Sequence, residues 1–256
     1  ALPIFSRFHS IMTKSPEVAL DEKLIASAEF QKTAMASKLN WLRAGILGAN
    51  DGIMSTSGIL MGVAGATTDS ATIFFTGVAA VVAGSISMAG GEYTSVSAQR
   101  DSEIASLEIE RKELAEQPEL ELRELTWFYE QKGLDYDLAH MVAKQLTEKD
   151  ALRAHAEAEL GIELGEHANP MSAALSSFVA FAAGGILPLV AVTGPWVSYR
   201  IPATIVAVLI SLVITGFVGA RIGGAKPARP ILRNVLISVA TMAITYGIGT
   251  LVGHAV

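Results

Sequence analysis

Apolar residues in this chain fall into five long blocks separated by polar segments. A helix that crosses a membrane needs about 20 mostly apolar residues, and each block is roughly of that length. The blocks cover Leu42–Ala66, Ala71–Ala89, Met171–Val192, Ile201–Ala220 and Asn234–Val252. This pattern predicts an all-α, polytopic membrane protein with five transmembrane helices.

The second block continues without a proline into a strongly acidic stretch, and the first proline beyond it is Pro118. We therefore expect one long helix that leaves the bilayer and carries carboxylates into water. Because proline fits the first turn of a helix, a second helix is expected to begin at Pro118 and to end near Gly133.

Capping signals predict two more short helices before the third apolar block. Asp135 is placed to cap a helix that extends to about Leu146. Residues 147–150 read Thr-Glu-Lys-Asp, which resembles a capping box with Asp for Glu and predicts a fourth helix to about Gly165. The chain then divides into an N-terminal cytosolic arm (1–40), transmembrane helices 1 and 2 (41–99), a small cytosolic helical domain (100–169) and transmembrane helices 3 to 5 (170–256).

Basic residues are concentrated before the first block, between the second and third, and between the fourth and fifth. Lysine and arginine near helix ends mark the cytosolic side. The N-terminus and residues 100–169 are therefore expected in the cytosol, and the C-terminus on the opposite side. Residues 1–40 contain no continuous apolar segment like that of a secretory signal, so we expect no cleaved signal.

Composition excludes several classes of site and partner. A mean hydropathy of +0.42 with 51% hydrophobic residues is too apolar for an ordinary soluble domain of this length. The absence of cysteine excludes disulfides, thiolate metal sites and thiol nucleophiles. The net charge of −6 argues against nucleic acid as a partner, because a phosphate-binding surface needs a basic excess.

Three polar or soft side chains near the membrane could carry chemistry. Asp51 lies inside the first block, where a carboxylate usually faces a cavity or a partner, although it could instead cap a helix near the surface. Met88 either packs in the core or offers a thioether to a divalent metal softer than Mg²⁺ or Ca²⁺. Glu92 shares the helical face of Met88 and either extends a metal path or is solvated at the membrane rim.

The cytosolic domain is strongly acidic, with 18 Asp or Glu against 8 Lys or Arg between residues 100 and 169. If the helices on either side of Pro118 fold against each other, four carboxylates converge: Glu110, Glu113, Glu121 and Glu124. His155 and Glu159, spaced i, i+4, could join them. Crowded carboxylates repel one another, and a divalent cation would offset that repulsion. The same residues could instead form solvated helix faces that favour the helix dipole.

These residues resemble the vacuolar iron transporter family, which includes fungal vacuolar and plant nodulin-like members. The resemblance rests on Asp51-Gly52, on Ile86-Ser87-Met88 with Gly90-Gly91, and on the carboxylate series that follows, and it covers the chain from residue 41 onward. It implies five transmembrane helices, a homodimer with the ion path at the dimer interface, and a cytosolic metal-binding domain. It also implies export of Fe²⁺ from the cytosol in exchange for protons. The ligands that it implies are Asp51 and Met88 in the pore and Glu110, Glu113, Glu121, Glu124 and Glu159 in the cytosolic domain.

The sequence departs from the family at two places. Arg43-Ala44 stands where relatives of the plant vacuolar protein have another acidic residue, and His155-Ala156 where they have adjacent methionines. Imidazole in place of a thioether makes the cytosolic site harder, which weakens the expected preference for Fe²⁺ over Mn²⁺.

The leading interpretation is a homodimeric, proton-coupled secondary transporter whose cargo is Fe²⁺ or Mn²⁺, with no permanently bound cofactor. Its partners would be membrane lipid, divalent metal ions and protons, in the vacuolar membrane of a eukaryote or the plasma membrane of a bacterium. The alternative is a membrane-anchored di-iron carboxylate enzyme such as a ferroxidase. Such sites use Glu-x-x-His on two helices, and no Glu-x-x-His lies in the predicted cytosolic helices. A third interpretation is a structural membrane protein whose acidic domain binds a basic partner.

Overall fold

A computed structural model describes the backbone of residues 16–164 and 169–255, with side chains from residue 41 onward. The described chain is helical and contains no strand, which confirms the all-α prediction. The helices are α1 (Pro16–Ala66), α2 (Ser70–Glu116), α3 (Pro118–Gln131), α4 (Tyr136–His155), α5 (Pro170–Thr193), α6 (Arg200–Ile222) and α7 (Ala228–Gly253). A π-helical turn, Ala156–Leu160, follows α4, and a 3-10 turn, Val197–Tyr199, precedes α6.

Residues 41–256 form one compact unit, and the core and the candidate site lie within it. In the predicted N-terminal arm, residues 16–40 belong to α1, and residues 1–15 lie outside the described part of the chain. Of the described helices, four are long and apolar enough to cross a membrane, and they contain the second to fifth predicted spans. The first predicted span, Leu42–Ala66, is the C-terminal part of α1 and is not among them.

This part of α1 lies at the centre of the bundle. A methyl group added at Gly52 would overlap the backbone of Phe181 on α5, and one added at Gly249 on α7 would overlap the carbonyl group of Gly62. Small residues allow such close approach of helices. A core cluster joins α1 to α6 and α7 through Ile53, Met61, Val208, Leu212 and Met242. Because other helices surround it, this segment tolerates polar residues that lipid would disfavour.

Helix α2 is the long helix that the sequence predicts, at 47 residues. Its length of about 70 Å is more than twice the roughly 30 Å of a bilayer core, so it extends well beyond the apolar region. Asp69 caps its start by accepting a hydrogen bond of 2.8 Å from the Thr72 amide. The helix ends at Glu116, and Pro118 occupies the first turn of α3 as expected.

Helices α3 and α4 pack on each other around Leu125, Ala143 and Ala154. The turn between them follows the sequence, because Gly133 adopts a φ of 99° and Asp135 accepts a hydrogen bond of 3.0 Å from the Leu138 amide. Isolated αL residues of this kind strongly favour glycine.

The sequence predicts that one helix ends and another begins at residues 147–150, and the chain does break there, but the exact boundaries differ from the prediction. Helix α4 does not stop at Leu146 but continues and kinks at Asp150, whose carboxylate caps the Arg153 amide at 3.1 Å. Asp caps a helix at least as well as Thr, so the break falls at the end of the 147–150 segment rather than at its start. The helical stretch ends at Leu160, before the predicted Gly165, because Gly161 turns to a φ of 64°.

Candidate metal centre

Three helices bring two carboxylates and an imidazole together outside the membrane-crossing part of the fold. Glu110 comes from the last turns of α2, Glu121 from the first turn of α3 and His155 from the end of α4, and all three are buried. His155 Nδ1 lies 2.9 Å from Glu110 Oε1 and 3.7 Å from Glu121 Oε2. Glu159 adds a fourth group, with its Oε2 at 3.6 Å from the same nitrogen.

The dimensions of this cluster suit one metal ion. One ligand atom from each of Glu110, Glu121 and His155 lies within 4.8 Å of the other two. Atoms bound to one first-row divalent metal at about 2.1 Å are at most ~4.2 Å apart, so a contraction of less than about 1 Å would complete a site. Carboxylate and imidazole donors together suit Fe²⁺, Mn²⁺ and Zn²⁺.

Several polar atoms of the cluster have no hydrogen-bond partner among the described residues. Three of these atoms are fully buried and lack a partner: Glu110 Oε1, Glu159 Oε2 and His155 Nδ1. Although Glu110 Oε1 and His155 Nδ1 are close, the imidazole is not oriented for a hydrogen bond between them. Buried polar atoms in proteins almost always have a partner. A cation among these atoms would satisfy all three.

The electrostatics of the cluster also favour a cation. Burial raises the pKa of Glu110 most, the nearby charges of Glu159, Glu121, Glu113 and Glu124 add to the effect in that order, and together they bring it to about 7. Burial likewise raises the pKa of Glu121, with contributions from Glu124, Glu113 and Glu159. In both cases the ionised carboxylate lacks a compensating positive charge.

His155 is held in the form that binds metal. Burial lowers the pKa of its imidazole, and this outweighs the opposite effects of Glu159 and Glu124. A neutral imidazole keeps a lone pair for a metal ion, whereas an imidazolium does not. The π-helical turn that follows places Glu159 on the same side as His155, and such turns are often found at functional sites.

The remaining predicted carboxylates of this domain lie at its edge. Glu113 and Glu124 are exposed and are not part of the close cluster, although both are near enough to raise the pKa of Glu110. The predicted convergence of four carboxylates across Pro118 thus takes a different form. Glu110 and Glu121 meet inside, and their i+3 neighbours form a negatively charged rim.

Asp51, Met88 and Glu92 lie together in a groove between α1 and α2, with a volume of about 460 Å³. The groove also contains residues that the sequence analysis did not select: Ser55, Ile59, Ala80, Ala83, Gly84, Ser87, Gly91 and Phe181. Ser55 lies one turn after Asp51 and donates a hydrogen bond of 2.6 Å to the Asp51 carbonyl oxygen. Two sequence signals could have identified the hydroxyl groups. Ser55 lies four residues after Asp51 on the same helical face, and Ser87 is adjacent to Met88.

The groove and the buried cluster share one helix. Glu92 and Glu110 are both on α2, separated by 18 residues, or roughly 27 Å along the axis. Along α2, Met88 therefore comes first, Glu92 follows, and Glu110 of the buried cluster comes last.

Comparison with known proteins gives a consistent result. Residues 42–250 match the model of the VIT family. A protein of Acanthamoeba castellanii named "Vacuolar iron transporter" is 44% identical over 214 residues, which is 82% of this chain and 78% of that protein. "Vacuolar iron transporter homolog 5" of Oryza sativa subsp. japonica is 33% identical over 84% of this chain and 81% of its own length. "Vacuolar iron transporter homolog 2" of Arabidopsis thaliana is 32% identical over 85% of this chain and 87% of its own length. These matches confirm the family resemblance seen in the sequence.

Proposed function

Because the chain belongs to the VIT family, we propose that it is a transporter that moves Fe²⁺ across a membrane, with Mn²⁺ as a second cargo. The observation that carries this proposal is the buried cluster of Glu110, Glu121, His155 and Glu159, whose unpartnered atoms and raised carboxyl pKa values suit a divalent cation. The names of the relatives support iron as the cargo and the vacuolar membrane as the location.

The cytosolic cluster captures the metal, and the groove passes it on. In this scheme the exposed Glu113 and Glu124 attract the cation to the domain, and the buried cluster binds it. Asp51, Met88 and Glu92 then offer carboxylate and thioether ligands at the level of the membrane. The C-terminal part of α1 also crosses the membrane, which brings the number of spans to five. The N-terminus and the acidic domain lie in the cytosol. Metal therefore leaves the cytosol.

Proton exchange follows from the ligand chemistry. Carboxyl groups must lose their protons to bind a metal ion, and they take protons back when the ion leaves. The groove carboxylate of Asp51 carries this exchange across the membrane, because Glu110 lies in the cytosolic domain and exchanges protons with the cytosol alone. We propose that protons return to the cytosol as metal leaves it.

A second copy of the chain completes the groove. One face of α2 repeats small or short residues at alternating three- and four-residue steps, and all of them from Gly91 onward are exposed. This face, which we call the small-residue face, consists of Gly91, Ser95, Ala98, Ser102 and Ala105, and the larger Met88 and Ile109 continue the same spacing at its two ends. Such a repeat is typical of two helices that pack closely along a shared axis. Added methyl groups at Gly90 and Gly91 meet nothing in this protomer, which favours a close approach by a partner helix.

Metal flux into proteoliposomes tests the proposal. Asp51→Ala should reduce Fe²⁺ uptake at least tenfold, because the carboxylate in the groove is lost, while the protein still assembles. Asp137→Ala, an exposed residue in the first turn of α4, is the matched control and should leave uptake unchanged. Uptake by Asp51→Ala at the wild-type rate would remove Asp51 from the mechanism.

A pH gradient across the proteoliposome membrane tests antiport. Uptake of Fe²⁺ that the gradient drives would support antiport, and an uptake rate that the gradient does not change would exclude it.

The di-iron enzyme is less well supported than a transporter. Ferritin-like sites use two imidazoles from two Glu-x-x-His motifs. The cluster described here contains one imidazole, from His155, and it suits one ion. Aerobic oxidation of Fe²⁺ that is lost in Glu110→Gln would favour the enzyme.

A further inference from the structure

The side chain of Arg200 forms hydrogen bonds to both the α1–α2 and the α5–α6 connections, at the end of the bundle away from the acidic domain. It is the first residue of α6 and is 9% exposed. Its Nη1 donates to the Thr68 carbonyl oxygen at 3.3 Å and its Nη2 to Ser70 Oγ at 2.9 Å, both at the α1–α2 connection. Its Nε donates to the Val197 carbonyl oxygen at 3.3 Å, within the α5–α6 connection.

The charge of Arg200 is not balanced by these contacts. All three acceptors are neutral, and Arg200 forms no salt bridge with any carboxylate in the described part of the chain. The neighbouring Asp69 carboxylate is already engaged, since it accepts hydrogen bonds from the Thr72 amide and hydroxyl. These bonds are the main reason that the pKa of Asp69 is lowered, and Arg200 contributes least. Buried charges in proteins are usually paired, because an unpaired one is costly.

A partly open cavity of about 220 Å³ has Arg200 in its lining. A single water needs only about 10–15 Å³ of such volume, so the cavity has room for a larger polar ligand. Its polar lining consists of Arg200 and three hydroxyl residues, Thr67, Thr68 and Ser198. The guanidinium has five N–H donors, of which the three contacts above use three. A purely structural clamp would explain the three hydrogen bonds but neither the unbalanced charge nor the cavity.

We propose that this cavity, the Arg200 pocket, binds a phosphate-class oxyanion, either inorganic phosphate or the phosphate of a lipid headgroup. The planar fork of arginine matches two oxygens of a phosphate, and hydroxyl groups can donate to a third. Trp196 and Tyr199 are exposed next to the pocket, and such aromatic residues are enriched at the level of lipid headgroups. Neither the family match nor the metal cluster requires this site.

Thermal unfolding of the full-length protein in detergent, at fixed ionic strength, tests for inorganic phosphate. Phosphate should raise the Tm of the wild type by a few degrees, because a ligand that binds only the folded state stabilises it. Arg200→Gln should abolish the rise. Ser198→Leu should also abolish it, because it narrows the pocket while leaving the three partners of Arg200 in place. Arg221→Gln, at the other, exposed end of α6, should respond as the wild type does.

Native mass spectrometry of protein extracted from phospholipid vesicles tests for the headgroup. Phospholipid retained by the wild type and by Arg221→Gln but lost from Arg200→Gln and Ser198→Leu assigns the pocket to lipid. A phosphate-dependent Tm without retained lipid assigns it to the free anion. If neither ligand distinguishes the wild type from Ser198→Leu, the proposal is wrong, even where Arg200→Gln fails to fold. No metal is used in either assay, so the result is independent of transport.

Discussion

Glu110 is a buried carboxyl group whose ionisation costs the folded protein stability. It is 2% exposed, and burial and its acidic neighbours raise its pKa from 4.5 to about 7. Between these pH values the folded protein holds a proton that the unfolded chain has released. The contribution of Glu110 to stability is therefore lost as the pH rises from about 4.5 through 7.

Glu110→Gln should stabilise the metal-free protein and weaken metal binding. The amide has nearly the same shape but no charge to bury, so we expect a Tm a few degrees above the wild type at pH values above 7. The gain should fade toward pH 4.5, where the wild-type carboxyl group is protonated in both states. The measurement is a Tm series over pH with a chelator present, repeated with Mn²⁺.

The exposed Glu108, which pairs with Arg111 on the same helix, supplies the control for this substitution. Glu108→Gln should leave both the Tm and the response to Mn²⁺ close to wild type, because surface ion pairs contribute little. A stabilisation by Glu110→Gln that does not vary with pH would contradict the electrostatic explanation.

Helical spacing in the sequence identified the residues of the candidate site, but it did not show which of them face inward. Spacing selected Glu110, Glu121, His155 and Glu159, and the structure brings them together. It could not separate Glu110 from Glu113, because which of two i, i+3 carboxylates faces inward depends on how α2 and α3 cross. That crossing is set by packing between distant residues, which no local pattern records.

Close contact between α1 and α7 makes one glycine indispensable and its near neighbour replaceable. A methyl group at Gly249 would overlap the backbone of Gly62, whereas one at Gly247 meets nothing. Gly249→Ala should therefore cost about 1–3 kcal/mol through forced separation of the helices. Gly247→Ala should be neutral or stabilise by up to about 1 kcal/mol, since alanine favours a helix. Thermal unfolding of both variants in detergent is the measurement, and equal Tm values would contradict the described packing.

Helices were predicted well where a single strong signal marks each end. Pro118, Gly133 and Asp135 each begin or end an element as expected. The region around Asp150 was less predictable, because Thr147 and Asp150 are both competent caps and the sequence does not rank them in context. The π-helical turn after His155 has no local sequence signal that we recognise.

The first predicted span shows why hydropathy alone does not describe the whole bundle. Leu42–Ala66 contains Asn50 and Asp51, and it packs closely against α5 and α7. Asn50 is satisfied inside the protein, where its Oδ1 accepts a hydrogen bond of 2.6 Å from Thr215. Protein contacts thus replace lipid around this segment, and the groove keeps Asp51 accessible from one side.

Assembly of two copies through α2 predicts a specific cross-link. The chain has no cysteine, so single substitutions can be compared directly. Ala98→Cys lies on the small-residue face, and oxidation should link two copies, because paired cysteines need Cα atoms within about 7 Å. Arg100→Cys lies on the opposite side of the helix and should link poorly. Non-reducing gel electrophoresis of membranes is the measurement, and equal linkage of the two variants would argue against this interface.

Iron K-edge X-ray absorption of the anaerobic, Fe²⁺-loaded protein tests most directly whether the buried cluster is a metal site. We expect a first shell of oxygen and nitrogen ligands with the outer-shell signal of one imidazole. His155→Ala should remove the imidazole signal, and His140→Ala, on the same helix but outside the cluster, should preserve it. An iron spectrum that His155→Ala leaves unchanged would contradict the assignment of this cluster as the metal centre.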